Sequence, residues 1–479
     1  MNNLLPTDYQ SFIHTSRYAR WLKEDKRRES WSETVSRYML NVVEDKVDKN
    51  TENKLFDAIL GLEVMPSMRA MMTAGPAFNR DNTAGYNCSY LAVDDPKSFD
   101  EAMFILLCGT GVGFSVERQF ISKLPDVPEL FESETTVVVK DSKEGWAKAF
   151  RQVLALLWAG EIPRWDVSRV RPAGAKLETF GGRASGPAPL IDLFNFSVTI
   201  FKNASGRNLS SIECHDLMCK VGEVVVVGGV RRSAMISLSN LSDDRMRHAK
   251  SGAWWDNDPQ RALANNSVSY TEKPDSISFM REWMSLVESG SGERGIFNRQ
   301  ASKKQAEKYG RRDSNFEFGT NPCSEIILRP YQFCNLTEVV VRSTDTAKDL
   351  ERKVRLATIL GTIQSTYTKF PYLRKVWTTN TEEERLLGVS LTGIMDNPLM
   401  TTHNPELEKT LGKLRKLSVT TNIKWADHLG IPASTAITCV KPSGTVSQLV
   451  DSASGIHARH SNYYIRTVRG DNKDPLTQF

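Results

Sequence analysis

From Pro66 onward, short apolar runs alternate with amphipathic stretches, and each kind has its own period. SYLAV (89–93), VGFSV (112–116), TVVVK (136–140), EVVVV (223–227), AMISLS (234–239), EIIL (325–328) and TEVVVR (337–342) read as strands. FDEAMFILLCG (99–109) and GWAKAFRQVLALLWAG (145–160) repeat their apolar residues at helical spacing. That alternation is the pattern of β/α units, and no internal repeat or low-complexity linker interrupts it. Residues 65–479 are therefore expected to form one large α/β barrel, whose type periodicity alone does not decide. Residues 1–64 read as a helical N-terminal region, with apolar and charged residues interleaved through YARWLKEDKRRESWSETVSRYMLNVVEDKV. Its Lys/Arg-rich face is expected to be solvated.

Length and charge narrow the functions available. A chain of 479 residues exceeds one small core. Lys+Arg 62 against Asp+Glu 57 leaves +5, spread without a basic block, so no dedicated nucleic-acid surface is expected. A negatively charged small molecule remains compatible. No apolar run reaches about 18 residues, and MNNLLPTDYQ lacks a charged segment followed by an apolar one. A soluble, cytoplasmic protein that does not enter membranes is expected. Seven scattered cysteines suit a reducing compartment, in which any disulfide would be catalytic. Cys214-His215-x-x-x-Cys219 is half a metal site without a second half, so no metal is assigned to the chain. The glycines of Gly109-Thr110-Gly111-Val112-Gly113 follow a helix and precede a strand, the reverse of a dinucleotide fingerprint.

The candidate chemistry centres on Asn321-Pro322-Cys323-Ser324-Glu325, with a second thiol at Cys334. On a strand, Asn321, Cys323 and Glu325 would share one face. Cys323 can act as nucleophile or one-electron centre, Glu325 can exchange a proton, and Asn321 can hold a hydroxyl. Pro322 removes a backbone donor and places the trio at a strand end or in a finger-like loop. A buried structural cysteine beside a solvated glutamate would leave the same pattern. Cys88, in Tyr86-Asn87-Cys88-Ser89-Tyr90, is by itself a packed strand thiol. In KPSGTVS (441–447), Ser443 or Thr445 can cap a helix whose N-terminus faces an anion, and Gly444 lets backbone approach a phosphate. An ordinary loop-to-helix cap fits equally. Gly228-Gly229-Val230-Arg231-Arg232 reads either as a mobile loop that contacts phosphate or base, or as a surface turn.

These segments, taken in order, resemble one family. NPCSEI followed by CNL, with PSMRA (66–70), NCSY (87–90), GTGVGFSVER (109–118), FGGRASGP (180–187), VGGVRRSA (227–234), GIFN (295–298), KPSGTVS and GIHARHSNYYIRTVR (455–469), is similar to the catalytic subunit of ribonucleotide reductases, most of all the adenosylcobalamin-dependent class. The resemblance implies a ten-stranded α/β barrel with a central finger loop that carries Cys323 as a thiyl radical. It makes Glu325 the base at the 3′-hydroxyl, Asn321 the holder of the ribose hydroxyls, and Cys88 with Cys334 the dithiol that reduces the substrate. Ser67, Asn87, Ser443, Gly444, Thr445 and Val446 would contact the ribonucleotide. Gly228, Gly229, Arg231 and Arg232 would form the specificity loop. Asp95 would help hold a nucleotide effector (dNTP or ATP), although Pro96 stands where relatives often have Ser. FGGRASGP would turn near the active site. The N-terminal region is too short for an ATP-cone.

The implied reaction is reduction of ribonucleoside di- or triphosphates to deoxyribonucleotides for DNA synthesis. The radical is expected from a separate, ferritin-like di-metal subunit. The chain ends at Phe479, 15 residues after Tyr464, without the long C-terminal portion and terminal cysteine pair common in cobalamin enzymes. Tyr463-Tyr464 is also similar to a radical-relay dyad. Adenosylcobalamin is the alternative source. A thioredoxin-like reductant and a homodimer are the expected partners, although some monomeric relatives carry an insertion between Cys88 and Gly228 that replaces the second subunit. Two readings lie outside the family: a hydrolase or transferase with Cys323 as nucleophile and His457 or His460 as base, and a non-catalytic nucleotide-binding protein.

Overall fold

The computed structural model describes residues 5–175, 183–227, 234–401, 405–465 and 467. The chain divides into two units, one of Met1–Asn87 with Phe333–Arg469, the other of Cys88–Gln332 with Gly470–Phe479.

In the Cys88–Gln332 unit, five parallel strands lie side by side in the order Gly295–Asn298, Ala264–Tyr270, Met235–Asn240, Gly111–Ser115 and Cys88–Ala92. Three of these had been legible as apolar runs. They are buried on both faces, as parallel strands with helical crossovers must be, so they read as continuous rather than alternating hydrophobicity. Helices Lys97–Leu107, Lys143–Trp158, Ala188–Asn203 and Ser211–Val227 supply crossovers and cover. A separate parallel pair, Phe131–Val138 with Glu161–Asp166, holds the TVVVK run.

One strand expectation fails. EVVVV is not a strand but the last turns of the Ser211–Val227 helix. Cys214, Leu217, Met218, Val221, Val224 and Val225 are all buried at helical spacing, so the valines extend an apolar stripe already begun. Tertiary burial overrides the β-preference of a valine run. Helix Ser276–Ser289 inverts the usual pattern. It buries Glu282, held by Arg294 at 2.5 Å and Arg247 at 2.9 Å, and turns Ile277, Met280, Met284 and Val287 outward.

In the other unit, the strand that runs from Gln332 to Val340 pairs in parallel with Leu387–Thr392 and antiparallel with Val64–Met65. The N-terminal region is mostly helical, with Asp8–Arg17, Trp31–Tyr38 and Lys49–Leu60, but a short hairpin, Trp21–Leu22 with Arg27–Arg28, interrupts it. Lys26 adopts φ 51° at the hairpin turn, which no helical period announces. Trp31, Val35, Tyr38, Val42, Leu55 and Ile59 from this region join Val339, Leu360, Ile363 and Leu387 in one core. Among the described residues no helix is long and apolar enough to cross a membrane.

His14 gives this core a pH dependence. Its Nε2–H donates to Thr34 Oγ1 at 2.9 Å, while the Thr34 hydroxyl donates to Glu29 Oε2 at 3.0 Å. Burial lowers the imidazole pKa from 6.5 to about 4, against the attraction of Glu29. The unfolded chain therefore takes up this proton first. The contribution is complete above pH 6.5 and falls away down to about pH 4, where about 3 kcal/mol is lost at 1.36 kcal/mol per pH unit. Thermal melts from pH 7 to 4 should show a shallower decline for His14→Gln than for the wild type.

Candidate active site

The finger expected around Cys323 is a hairpin in the Cys88–Gln332 unit. Gly319–Thr320 pairs antiparallel with Ile327–Leu328, and residues 321–326 close the turn. The trio therefore does not sit on a strand, and alternation is not what gathers it. Pro322 and the left-handed Ser324, φ 61°, bend the backbone so that the Ser324 N–H donates to the Asn321 carbonyl at 2.9 Å. Asn321 Nδ2 then reaches Glu325 Oε2 at 2.6 Å, and Asn321 Oδ1 accepts from the Ile326 N–H at 3.1 Å. Cys323 stands exposed at the apex of this turn.

Cys88 comes to the same place from the start of its strand. Asn321 Nδ2 lies 3.2 Å from its sulfur, and the thiol donates to Glu325 Oε1 at 3.8 Å. Asn321 and Cys88 are buried, whereas Glu325 is half-buried. One amide thus ties a carboxylate to a buried thiol, next to an exposed thiol two residues from each of the other finger groups. The arrangement can move a proton between carboxylate and thiol or hydroxyl, and it separates a thiol reachable from outside from one kept inside.

The seat of the hairpin is as specific as its tip. A Cβ on Gly113 would lie 1.8 Å from the Thr320 carbonyl oxygen, and one on Gly319 would lie 2.1 Å from the Tyr90 ring. Both glycines permit close approach of the finger to the sheet. Gly113→Ala is expected to push the hairpin outward, costing about 1–3 kcal/mol. A displacement of about 1 Å would lower turnover on the order of 10²-fold. Wild-type turnover by a folded Gly113→Ala protein would contradict this placement.

Cys334 belongs to the other unit, on the strand after Phe333. It is buried, and its thiol donates to the Asn335 carbonyl at 3.3 Å. Asn335, Gln364, Ser67 and Asn87 form a network in that unit. Gln364 Nε2 donates to Asn335 Oδ1 at 2.9 Å, the Ser67 N–H donates to Gln364 Oε1 at 2.9 Å, and the Ser67 hydroxyl donates to Asn87 Oδ1 at 2.8 Å. Sequence reasoning named Ser67 and Asn87 but not Gln364, which no motif marks.

In KPSGTVS the helix is only Thr445–Leu449, and its N-cap Gly444 makes no side-chain cap bond. Ser443, one residue before that N-cap, supplies a capping bond: its Oγ accepts from the Ser447 N–H at 3.1 Å while it donates to buried Glu338 at 2.7 Å, and Lys441 pairs with the same carboxylate. A Cβ at Gly444 would meet nothing within 4 Å, so its backbone is open to an incoming group. Val446 is buried. Asp95 accepts from the Lys97 N–H at 2.8 Å at the start of the Lys97–Leu107 helix. Gly228, Gly229, Arg231 and Arg232 lie outside the described residues, as do Gly181 and Gly182. Tyr463 and Tyr464 are exposed, and so are His457 and His460. Cys219 and His215 touch at 3.5 Å within one buried helix, and among the described residues no group of three or more His, Cys, Asp or Glu is arranged to hold a metal.

Comparison with known proteins joins this geometry to a family. Residues 122–200 match the insertion domain of B12-dependent ribonucleotide reductases. Adenosylcobalamin-dependent ribonucleoside-triphosphate reductases are similar along the chain: that of Lacticaseibacillus paracasei at 28% identity and that of Lactobacillus leichmannii at 27%, each alignment covering 96% of this chain and 74% of the relative. The crystal structure of a B12-dependent, class II ribonucleotide reductase has the same fold, with TM-score 0.80 and 24% identity over 95% of this chain and 77% of that one. Along almost its whole length the chain is similar to ribonucleotide reductases. The class Id alpha subunit of Actinobacillus ureae is a more distant fold relative, with TM-score 0.58 and 12% identity over 97% of this chain and 77% of that one. The shared fold is of the α/β class, with the helical N-terminal region expected from the pattern of the sequence. The insertion match falls within the long stretch between Cys88 and Gly228, the place where the sequence had left room for one.

Proposed function

We propose that this reductase converts ribonucleoside triphosphates to 2′-deoxyribonucleotides with a radical started from adenosylcobalamin. The observation that carries the reading is the Cys88–Asn321–Glu325 contact beneath the exposed Cys323, in a chain whose relatives reduce triphosphates with that cofactor. This reverses the expectation of a di-metal partner subunit. The exposed Cys323 thiol fits adenosylcobalamin because a group bound outside the hairpin can meet it, whereas Cys88 is shielded. When bound, the cofactor supplies a carbon radical able to take hydrogen from a thiol.

The chain's own residues account for the remaining steps. Cys323, as a thiyl radical, removes hydrogen from the ribose C3′. Glu325 takes the 3′-hydroxyl proton while the 2′-hydroxyl leaves as water, and Asn321 fixes the carboxylate that does so. Cys88 and Cys334 give two electrons and two protons, one of them to the departing water, and become a disulfide, and Cys323 returns its hydrogen to C3′ and is left again as the thiyl radical. An external dithiol then resets the pair. Ser67 and Asn87 hold the nucleotide, and the open backbone at Gly444 with Ser443, Thr445 and Val446 receives its phosphates. A nucleotide effector acts through Asp95 and residues 228–232. Because an insertion of this kind stands in for the second subunit in monomeric relatives, the working form is a monomer rather than the homodimer first expected.

The test is a reaction of purified protein with a ribonucleoside triphosphate, a deoxynucleotide effector, dithiothreitol and adenosylcobalamin, with no other protein present. Deoxyribonucleotide formation is expected. No turnover from protein that binds nucleotide would overturn the cobalamin reading and make Tyr463 and Tyr464 the next residues to change.

A further inference from the structure

Behind the finger lies a buried ion pair that no sequence motif had singled out. Arg299, the first residue of helix Arg299–Glu307, follows directly on the Gly295–Asn298 strand and is 1% exposed. Its two terminal nitrogens grip Glu117, itself fully buried, at 2.9 and 2.5 Å. Burial acts against the guanidinium charge. Glu117 nonetheless keeps the guanidinium pKa above its ordinary value. The carboxylate is held in turn by the Ser115 hydroxyl at 2.8 Å and by Gln119 Nε2 at 3.1 Å.

The third guanidinium donor points elsewhere. Arg299 Nε donates to the carbonyl of Phe318 at 2.7 Å, and Phe318 immediately precedes the Gly319–Thr320 strand of the finger. Glu117 comes two residues after the strand whose Gly113 receives the Thr320 carbonyl. One planar side chain therefore spans the sheet end and the finger root. Lysine could keep the ion pair, but it lacks the fixed fork that serves carboxylate and carbonyl together.

We propose that Arg299, locked by Glu117, is a positioning residue that sets the height of the finger hairpin and so the place of Cys323, Asn321 and Glu325. The inference rests on the proposed reductase reading, yet its test does not depend on turnover alone. Arg299→Lys should fold, bind nucleotide with KM within about twofold, and lose roughly 10- to 100-fold in kcat, the expected effect of an ångström-scale misplacement. The rate of iodoacetamide alkylation at Cys323, measured by peptide mass spectrometry against Cys439 in the same molecule, should change by at least about threefold, because the exposure of the apex follows the root. A charge left unpaired in the interior can unfold a protein, so Glu117→Gln/Arg299→Gln removes both charges together. It should show the same altered Cys323-to-Cys439 ratio.

A wild-type alkylation ratio in either folded variant would overturn the proposal. So would parallel loss of kcat, KM and melting temperature in Arg299→Lys, which would mark an ordinary structural role. If the wild type itself reduces no nucleotide with adenosylcobalamin, the cobalamin reading fails, while the alkylation ratios still decide whether the clamp positions the hairpin.

Discussion

Cys323→Ser is expected to abolish deoxyribonucleotide formation, with kcat reduced at least about 10³-fold, while nucleotide binding and melting temperature stay at wild-type values. A hydroxyl is too strong an O–H donor to carry the radical that a thiol carries, so no residual route through serine exists. The side chain is exposed, so its replacement opens no buried cavity. This separates the radical reading from its rivals. A cysteine hydrolase would form a covalent adduct at Cys323 with no radical source, and a nucleotide-binding regulator would be indifferent to the change. Substantial multiple-turnover activity in Cys323→Ser would sink the radical reading.

Glu325→Gln is expected to cost the second largest amount, about 10²- to 10⁴-fold in kcat, the usual range for loss of a general base. That corresponds to about 2.7–5.5 kcal/mol of transition-state stabilisation. The glutamine oxygen can still accept from Asn321 Nδ2, so the hairpin turn should persist and KM should hardly change. Glu325→Asp keeps the charge but withdraws it by one methylene, and should fall between Gln and wild type. Equal losses in Gln and Asp would show that placement, not proton transfer, is what Glu325 supplies. Equal activity in Gln and wild type would remove Glu325 from the chemistry altogether. Single-turnover rates at fixed effector concentration distinguish these outcomes.

The remaining predictions probe how the fold supports this site. Gly113→Ala tests the contact at the seat of the finger, and the pH dependence of His14 tests a core far from the chemistry in sequence. A loss of turnover in Gly113→Ala with an unchanged His14 dependence would show that the two are separable.

Much of the fold was legible because it depends on local periodicity. Doubly buried parallel strands must be continuously apolar, and crossover helices must carry an apolar stripe, so SYLAV, VGFSV, AMISLS and the Lys97–Leu107 and Lys143–Trp158 helices declared themselves. EVVVV did not, because four valines satisfy either period and only the helix already under way from Ser211 decides between them. The inverted Ser276–Ser289 helix shows the same limit: its apolar residues are periodic, but which face is buried is fixed by Arg294 and Arg247, which lie outside it.

The site divides along the same line. Order and spacing of motifs sufficed to name Asn321, Cys323, Glu325, Cys88 and Cys334, since residue types carry chemistry wherever they are placed. What gathers Asn321 and Glu325 is a left-handed turn at Ser324 rather than strand alternation, and what brings Cys88 to them is a contact across 233 residues. Glu117 and Arg299, 182 residues apart, were invisible as a pair because an ion pair has no sequence period. The sequence by itself determined most of the element types and the chemically able residues, through local steric preference and the hydrophobic period. Only the tertiary structure decided which of those residues meet, because a contact between distant segments is set by how the sheet, the finger and their glycine-lined seat pack together.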